Sequence, residues 1–268
     1  MISPLRHALT FAAAALVACS APAAPAAQAT ATASASPAAT AAPTATPCAN
    51  ATLVTGSPQA PLPVASGTTA PPTPLPVVAA NTSTVPVYRL SIPPIAGKTA
   101  SIDIMEIDQA THLLYVTDRG DNGIDIFDVS TACPKYLRTI DVGSGPNGVV
   151  VAKNVNKVFA PLNDSNVAII DIATPGSEKV ITKVSTGGKK RADELDYDPK
   201  DKKVYVANSD DGIVTVIDAS TNAIIKKFEN MGDALEQPRY DSGDGMMYLT
   251  SSDQNAIFQF DPTKDVLV

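Results

Sequence analysis

The sequence predicts an all-β protein made of repeated four-stranded antiparallel units. The best-marked stretch is Lys202–Thr221, where two runs of β-branched and aromatic residues, Val204–Ala207 and Ile213–Ile217, flank a short loop. Strand formers on both sides of such a loop are typical of a β-hairpin. Gly212 ends the loop, and glycine readily adopts the positive φ that tight turns need.

The same hairpin recurs at a regular interval. Three further copies begin at Leu113, Lys157 and Met246. The aromatic residue of the first hairpin strand lies at Tyr115, Phe159, Tyr205 and Tyr248, in steps of 44, 46 and 43 residues. A period of about 40–50 residues, made of strands without helical patterns between them, indicates a β-propeller with one four-stranded blade per repeat.

Residues 1–19 have the pattern of an export signal. Arg6 and His7 precede a short apolar run that is too short for a membrane-spanning helix, which needs about 20 residues. The run ends in Leu16-Val-Ala-Cys19, which resembles the lipobox of bacterial lipoproteins. That resemblance implies acylation of Cys19 and anchoring in the cell envelope, with the outer membrane favoured because Ser20 is not Asp. An ordinary signal peptide with a chance cysteine is the alternative.

Residues 20–85 are predicted to be a disordered tether. The segment consists mainly of Ala, Pro, Thr and Ser, and no charged residue or His lies between Ser20 and Tyr88. Such a chain cannot bury enough apolar surface to fold. Cys48 lies in the tether, and we expect it to be unpaired, with a disulfide to another thiol as the alternative. Three cysteines in all are too few for a disulfide framework.

Residues 86–268 are predicted to form the propeller, with repeat units at about 101–142, 147–186, 193–230 and 236–268. Each unit begins with an inner strand, continues with the hairpin and ends with an outer strand. The predicted inner strands are 101–108, 148–154, 194–198 and 237–241. The predicted outer strands are 136–142, 180–186, 224–230 and the incomplete 266–268.

The short last strand leaves two explanations open. The chain is either part of a larger propeller, or Val87–Pro93, which alternates like an outer strand, completes the fourth blade and closes a four-bladed ring. We favour the first, since six to eight blades would need more residues than the roughly 180 present here. An incomplete ring would leave exposed sheet edges.

The hairpins resemble the YVTN-type β-propeller repeats of bacteria and archaea. Tyr115-Val-Thr-Asp118 and Tyr205-Val-Ala-Asn208 are similar to the core of that repeat, and Val216-Ile-Asp218-Ala-Ser-Thr221 to the segment that follows it. The likeness covers about residues 100–263 and weakens at Phe159-Ala-Pro161. It implies an exported or surface-attached propeller, similar in fold to lactonase propellers.

An aspartate closes the third strand of every unit, and we expect these residues to be structural. They are Asp128, Asp171, Asp218 and Asp261. Recurrence in every unit favours a turn role, in which the carboxylate accepts backbone N–H bonds from the next residues.

The candidate functional residues lie twelve positions before each strand aromatic. They are Asp103, Asn147, Asp193 and Glu236, with Glu194 as the substitute for Asp193 if that loop is one residue longer. These positions lead into the inner strands, which border the channel of a propeller. We expect a hydrated acidic channel mouth there, and a site for a divalent cation such as Ca²⁺, as the lactonase likeness implies, is the alternative.

The predicted function is that of a cell-envelope scaffold that binds a protein or a small ligand. The net charge of −7 argues against a nucleic-acid role, because phosphate binding needs clustered Lys and Arg. No Ser-His-Asp or Cys/His pattern indicates a specific reaction. A metal-dependent hydrolase of the lactonase kind is the alternative, and it would use the acidic channel mouth.

Overall fold

The computed structural model describes residues 99–131 and 133–268, together with the backbone of residues 51–53 and 88–90. These parts of the chain contain eighteen β-strands and one 3₁₀ helix, Lys153–Val155. The all-β prediction is confirmed. No helix in the described ranges is long and apolar enough to cross a membrane.

Sixteen strands form four antiparallel sheets, each with its strands in sequence order. Sheet 1 contains β3 (Ile102–Asp108), β4 (Leu113–Asp118), β5 (Gly123–Asp128) and β6 (Lys135–Asp141). Sheet 2 contains β7 (Val150–Ala152), β8 (Lys157–Pro161), β9 (Asn166–Asp171) and β10 (Lys179–Ser185). Sheet 3 contains β11 (Leu195–Asp198), β12 (Lys203–Asn208), β13 (Ile213–Asp218) and β14 (Ile224–Phe228). Sheet 4 contains β15 (Leu235–Asp241), β16 (Met246–Ser251), β17 (Ala256–Asp261) and β18 (Val266–Leu267).

The hairpin loops between the second and third strands share one backbone feature. Gly212, seven positions after Tyr205, has a φ of +61°. The equivalent residues after Tyr115 and Tyr248 are asparagines that also have positive φ, Asn122 (+56°) and Asn255 (+49°). Asparagine tolerates the left-handed region better than other non-glycine residues. An alanine side chain at Gly212 would also lie 2.9 Å from the Gly232 carbonyl oxygen, so this position has a second reason to be glycine.

Three apolar clusters join the sheets in sequence order. Sheets 1 and 2 meet around Tyr115 and Ile170, sheets 2 and 3 around Phe159 and Leu195, and sheets 3 and 4 around Tyr205. The three strand aromatics of sheets 1 to 3 are at most 1% exposed. Burying large apolar side chains between successive sheets is the main stabilisation of this arrangement, at about 25 cal/mol per Å² of apolar surface.

The strands β1 (Ala51–Leu53) and β2 (Tyr88–Leu90) pair antiparallel with each other as a separate two-stranded sheet. The alternative in which Val87–Pro93 completes the fourth blade is therefore wrong. The outer strand of sheet 4 is instead Val266–Leu267, which pairs with Asp261 and Phe260. Ala51–Leu53 falls within the segment predicted to be a disordered tether, and most of that tether, with Cys19 and Cys48, lies outside the described residues.

Cys133, in the loop between β5 and β6, is disulfide-bonded. The sequence analysis predicted a disulfide only as the alternative for Cys48, because three cysteines suggest no framework, and it did not single out Cys133. Its partner is not among the described residues, where Cys133 is the only cysteine.

Candidate functional site

The predicted channel-mouth residues occupy equivalent places at the start of the inner strands. Asn147 and Asp193 precede β7 and β11, and their backbone N–H groups donate to the carbonyls of Pro161 and Ala207, at 2.9 Å each. Glu236 pairs with Thr250 in the register of sheet 4. Asp103 lies at the corresponding end of β3. We call this end of the four inner strands, with Asp103, Asn147, Asp193, Glu194 and Glu236, the entry edge.

The carboxylates of the entry edge lie close enough to perturb one another. Burial and, to a smaller extent, the nearby charges of Glu236 and Asp193 together raise the pKa of Glu194 to about 7. The pKa of Asp193 is also raised, mainly by burial, with Arg191 opposing and Glu236 and Asp103 adding to the rise. Carboxylates from three sheets therefore share one electrostatic environment, although they are far apart in sequence.

Two arginines that the sequence analysis overlooked lie among these carboxylates. Arg119, in the loop after β4, forms an ion pair with Asp103, and Arg191 pairs with Asp193 at 2.8 Å. They compensate two of the four acidic groups. Glu194 and Glu236 have no ion pair within the described part of the chain, and one carboxylate oxygen of Glu194, Oε2, is buried without a hydrogen-bond partner there.

Asn147 differs from its equivalents because it is fully buried. Its Nδ2 donates to the Ala192 carbonyl at 2.8 Å, which links sheet 2 to the segment leading into sheet 3. The side-chain oxygen, Oδ1, has no partner among the described residues. Asn147 thus joins two sheets.

The geometry gives no support to the metal alternative at the entry edge. Within residues 99–131 and 133–268, no three His, Cys, Asp or Glu side chains are grouped so that they could hold a metal ion. The arginines fit this result, because a guanidinium beside a carboxylate competes with a cation for the same oxygens.

Further along the inner strands lies a second polar group that the sequence analysis also missed. Glu106 and Asp196 line a cavity of about 360 Å³ together with Val151, Asn154 and Tyr197. Burial raises the pKa of Glu106 to about 7, against a backbone hydrogen bond from Val151 that lowers it. Asp196 accepts the backbone N–H of Tyr240 in the next sheet at 2.8 Å. These carboxylates connect neighbouring inner strands.

The four strand-closing aspartates each accept backbone hydrogen bonds in the turn that follows. The donors are Ser130 for Asp128 (2.9 Å), Ala173 for Asp171 (2.9 Å), Ser220 for Asp218 (2.8 Å) and Thr263 for Asp261 (3.0 Å). Asp218 and Asp261 accept a second bond, from Thr221 and Lys264. Each carboxylate thus holds the chain in the turn between the third and fourth strands.

Two lysines extend from one sheet to the corresponding turn of the next. Lys157 donates from Nζ to the carbonyls of Ala219 and Ser220 and to Asn222 Oδ1, at 2.7–2.9 Å. Lys203 bonds Asp265 at 2.6 Å in the same way. Both stand two residues before the strand aromatic, so the repeat alignment contained a signal for them that the sequence analysis did not use.

A chain of a solved β-propeller structure titled "Crystal Structure of Mitotic Checkpoint Complex" has a similar fold, with a TM-score of 0.54 and 13% sequence identity. The likeness shows the fold alone. The match covers 63% of this chain and 50% of that chain, so the protein spans about half the length of the solved structure. No family model matches the sequence. No curated protein matches it either, and the YVTN resemblance stays a prediction.

Proposed function

We propose that the protein is an exported, lipid-anchored scaffold of the cell envelope that binds a protein partner at the entry edge. The observation that carries this proposal is the convergence of acidic side chains from three sheets at one end of the inner strands. Keeping these carboxylates ionised is unfavourable, because burial raises the pKa of Asp193 and of Glu194 and the charge of Glu236 adds to both rises. Loops and strand ends on a rigid frame are common places for binding.

The charge of the entry edge indicates the chemistry of the partner. Arg119 and Arg191 pair with Asp103 and Asp193. Glu194 accepts a backbone hydrogen bond from Gln237, and the charge of Arg239 lowers its pKa. No ion pair of Glu194 or Glu236 is formed among the described residues, so we assign these two carboxylates to the bound group. A Lys or Arg side chain of a partner would pair with these carboxylates and lower the cost of their mutual repulsion. The structural neighbour belongs to a complex, which is compatible with a role in protein assembly but does not identify a partner.

The hydrolase alternative has no comparable support. A lactonase-like mechanism needs a metal held by oxygen ligands to polarise a carbonyl or activate a water molecule. The described carboxylates do not form such a group, and Asn147 is used between two sheets. We therefore develop only the scaffold proposal.

Photo-crosslinking in intact cells tests whether a protein partner binds at the entry edge. A photoreactive amino acid at Lys189, which is exposed in the link between β10 and β11 four residues before Asp193, should give an adduct with a second protein. The same amino acid at Lys200, exposed in the turn after β11 at the other end of the inner strands, is the matched control. Glu194→Gln together with Glu236→Gln should weaken the Lys189 adduct several-fold and leave the melting temperature within a few degrees. Equal adducts at both positions, or none at Lys189, would contradict the proposal.

The lipid anchor has a separate test. The wild-type protein should sediment with membranes, and Cys19→Ser should move most of it to the soluble or precursor fraction, because the variant would lack the several acyl chains that give stable anchoring. Cys48→Ser is the control and should not change the fractionation. A Cys19→Ser protein that remains processed and membrane-bound would exclude acylation at this cysteine.

A further inference from the structure

Sheet 4 presents to solvent the face that is buried in every other sheet. We call the face of a sheet that packs on the following sheet its forward face. In sheets 1 to 3 the forward face carries the strand aromatic. It also carries an aliphatic residue of the third strand, which pairs with the residue two positions after that aromatic. The aliphatic residues are Ile124, Val167 and Val214, and all are 0% exposed. Their equivalent in sheet 4 is Ile257, which pairs with Thr250 and is 71% exposed.

The exposed forward face forms a shallow cavity. It has a volume of about 360 Å³ and is lined by Glu236, Arg239, Tyr248, Thr250 and Ile257 among others. Tyr248 is the fourth strand aromatic, equivalent to three residues that are at most 1% exposed. The repeat therefore supplies a junction surface here, but no described residue covers it as a following sheet would.

Sheet 1 has the complementary open surface. The backward face of a sheet packs on the preceding sheet through its inner strand, as Leu195 and Tyr197 do in sheet 3, at 4% and 7% exposure. Their equivalents in sheet 1, by pairing register, are Met105 and Ile107. These two side chains are 58% and 40% exposed. The second and third strands of the same sheet are not open in this way, since Val116 on β4 and Phe127 on β5 are at most 5% exposed.

We propose that two copies of this chain associate head to tail, with the forward face of sheet 4 of each copy packing on the inner strand of sheet 1 of the other. The three junctions inside the chain define what covers a forward face: the backward face of another sheet of the same repeat. Met105 and Ile107 provide that surface on every copy. Two copies of the chain described here cover both open faces with each other.

Size measurement of the full chain carrying Cys19→Ser, which removes acylation, tests the proposal. At micromolar concentration, light scattering after size-exclusion chromatography should give the mass of two chains. Ile257→Lys and Met105→Lys should each raise the dissociation constant by about 100-fold or more, because each would bury an unpaired charge in the contact. Both side chains are exposed in one copy, so neither variant should disturb the fold of the monomer.

The control is Ile225→Lys, which places the same charge at a side chain 42% exposed on the outer strand β14. It should leave the mass of two chains unchanged. A monomeric parent chain would overturn the proposal. Loss of the dimer in Ile257→Lys but not in Met105→Lys would also overturn it, because it would show that sheet 4 packs on sheet 4 of the other copy.

Discussion

At the level of single residues, Glu106 shows how the fold changes the chemistry of one side chain. Glu106 lies on an inner strand, and burial raises its pKa from 4.5 to about 7. The folded protein therefore holds this proton more tightly than the unfolded chain does. The contribution of Glu106 is most favourable below pH 4.5 and is lost as the pH rises through about 7. A group of this kind makes the protein less stable at pH 8 than at pH 5.

Replacing Glu106 with Gln should remove that dependence. We expect the fall in unfolding free energy between pH 5 and pH 8 to be smaller in Glu106→Gln than in the wild type, by about 1–3 kcal/mol for a shift of this size. Urea denaturation at the two pH values measures the difference. Glu229→Gln, at an exposed glutamate beyond β14, is the control. An unchanged pH dependence in Glu106→Gln would show that Glu106 is well solvated.

Three of the turn aspartates, Asp128, Asp218 and Asp261, have lowered pKa values and act in the opposite direction at lower pH. Hydrogen bonding from the Thr221 backbone lowers the pKa of Asp218, so its contribution is present above pH 3.8 and is lost as the pH falls through the lowered value. Asp218 therefore makes the protein less stable as the pH falls, whereas Glu106 and Glu194 make it less stable as the pH rises toward neutrality.

At the level of elements, Lys157 stabilises the contact between sheet 2 and sheet 3. Lys157→Met removes three hydrogen bonds to the turn of sheet 3 and should lower the unfolding free energy by about 1–3 kcal/mol. Lys179→Met, at an exposed position at the start of β10, is the matched control and should change the stability by less than about 0.5 kcal/mol. Equal stability of the two variants would mean that water molecules replace the hydrogen bonds of Lys157 Nζ at no cost in free energy.

The strands could be predicted from the sequence because the repeat reports the same pattern four times. Inner strand 101–108 was predicted and Ile102–Asp108 is observed, and outer strand 180–186 corresponds to Lys179–Ser185. Val87–Pro93 occurs once, and a single alternating run does not specify which strand it pairs with. Its pairing with Ala51–Leu53 therefore could not be predicted.

The candidate site could be predicted only in part. The spacing located Asp103, Asp193 and Glu236 at equivalent strand ends, since that depends on the repeat alone. The ion pairs with Arg119 and Arg191 depend on how loops from different sheets pack, which no local pattern encodes. Burial of Asn147 likewise follows from the contact between two sheets.

At the level of the whole molecule, the disulfide of Cys133 bears on the proposed lipid anchor. Only Cys19 and Cys48 are available as partners within the chain, since the sequence contains three cysteines. Acylation would consume the thiol of Cys19. The lipid anchor and the disulfide are therefore compatible only if Cys48 is the partner, and an export compartment that forms disulfides suits both modifications.

Thiol titration of the denatured protein separates the two partners. We expect no free thiol from the Cys133–Cys48 pair in Cys19→Ser, and one free thiol per chain, on Cys133, in Cys48→Ser. Loss of the bond in Cys48→Ser should lower the unfolding free energy by about 2–4 kcal/mol, because a long loop is no longer closed in the unfolded chain. Trypsin cannot distinguish the partners in the wild type, because no Lys or Arg lies between Arg6 and Arg89. A free thiol in Cys19→Ser, with none gained in Cys48→Ser, would assign the bond to Cys19 and remove the basis for the lipid anchor.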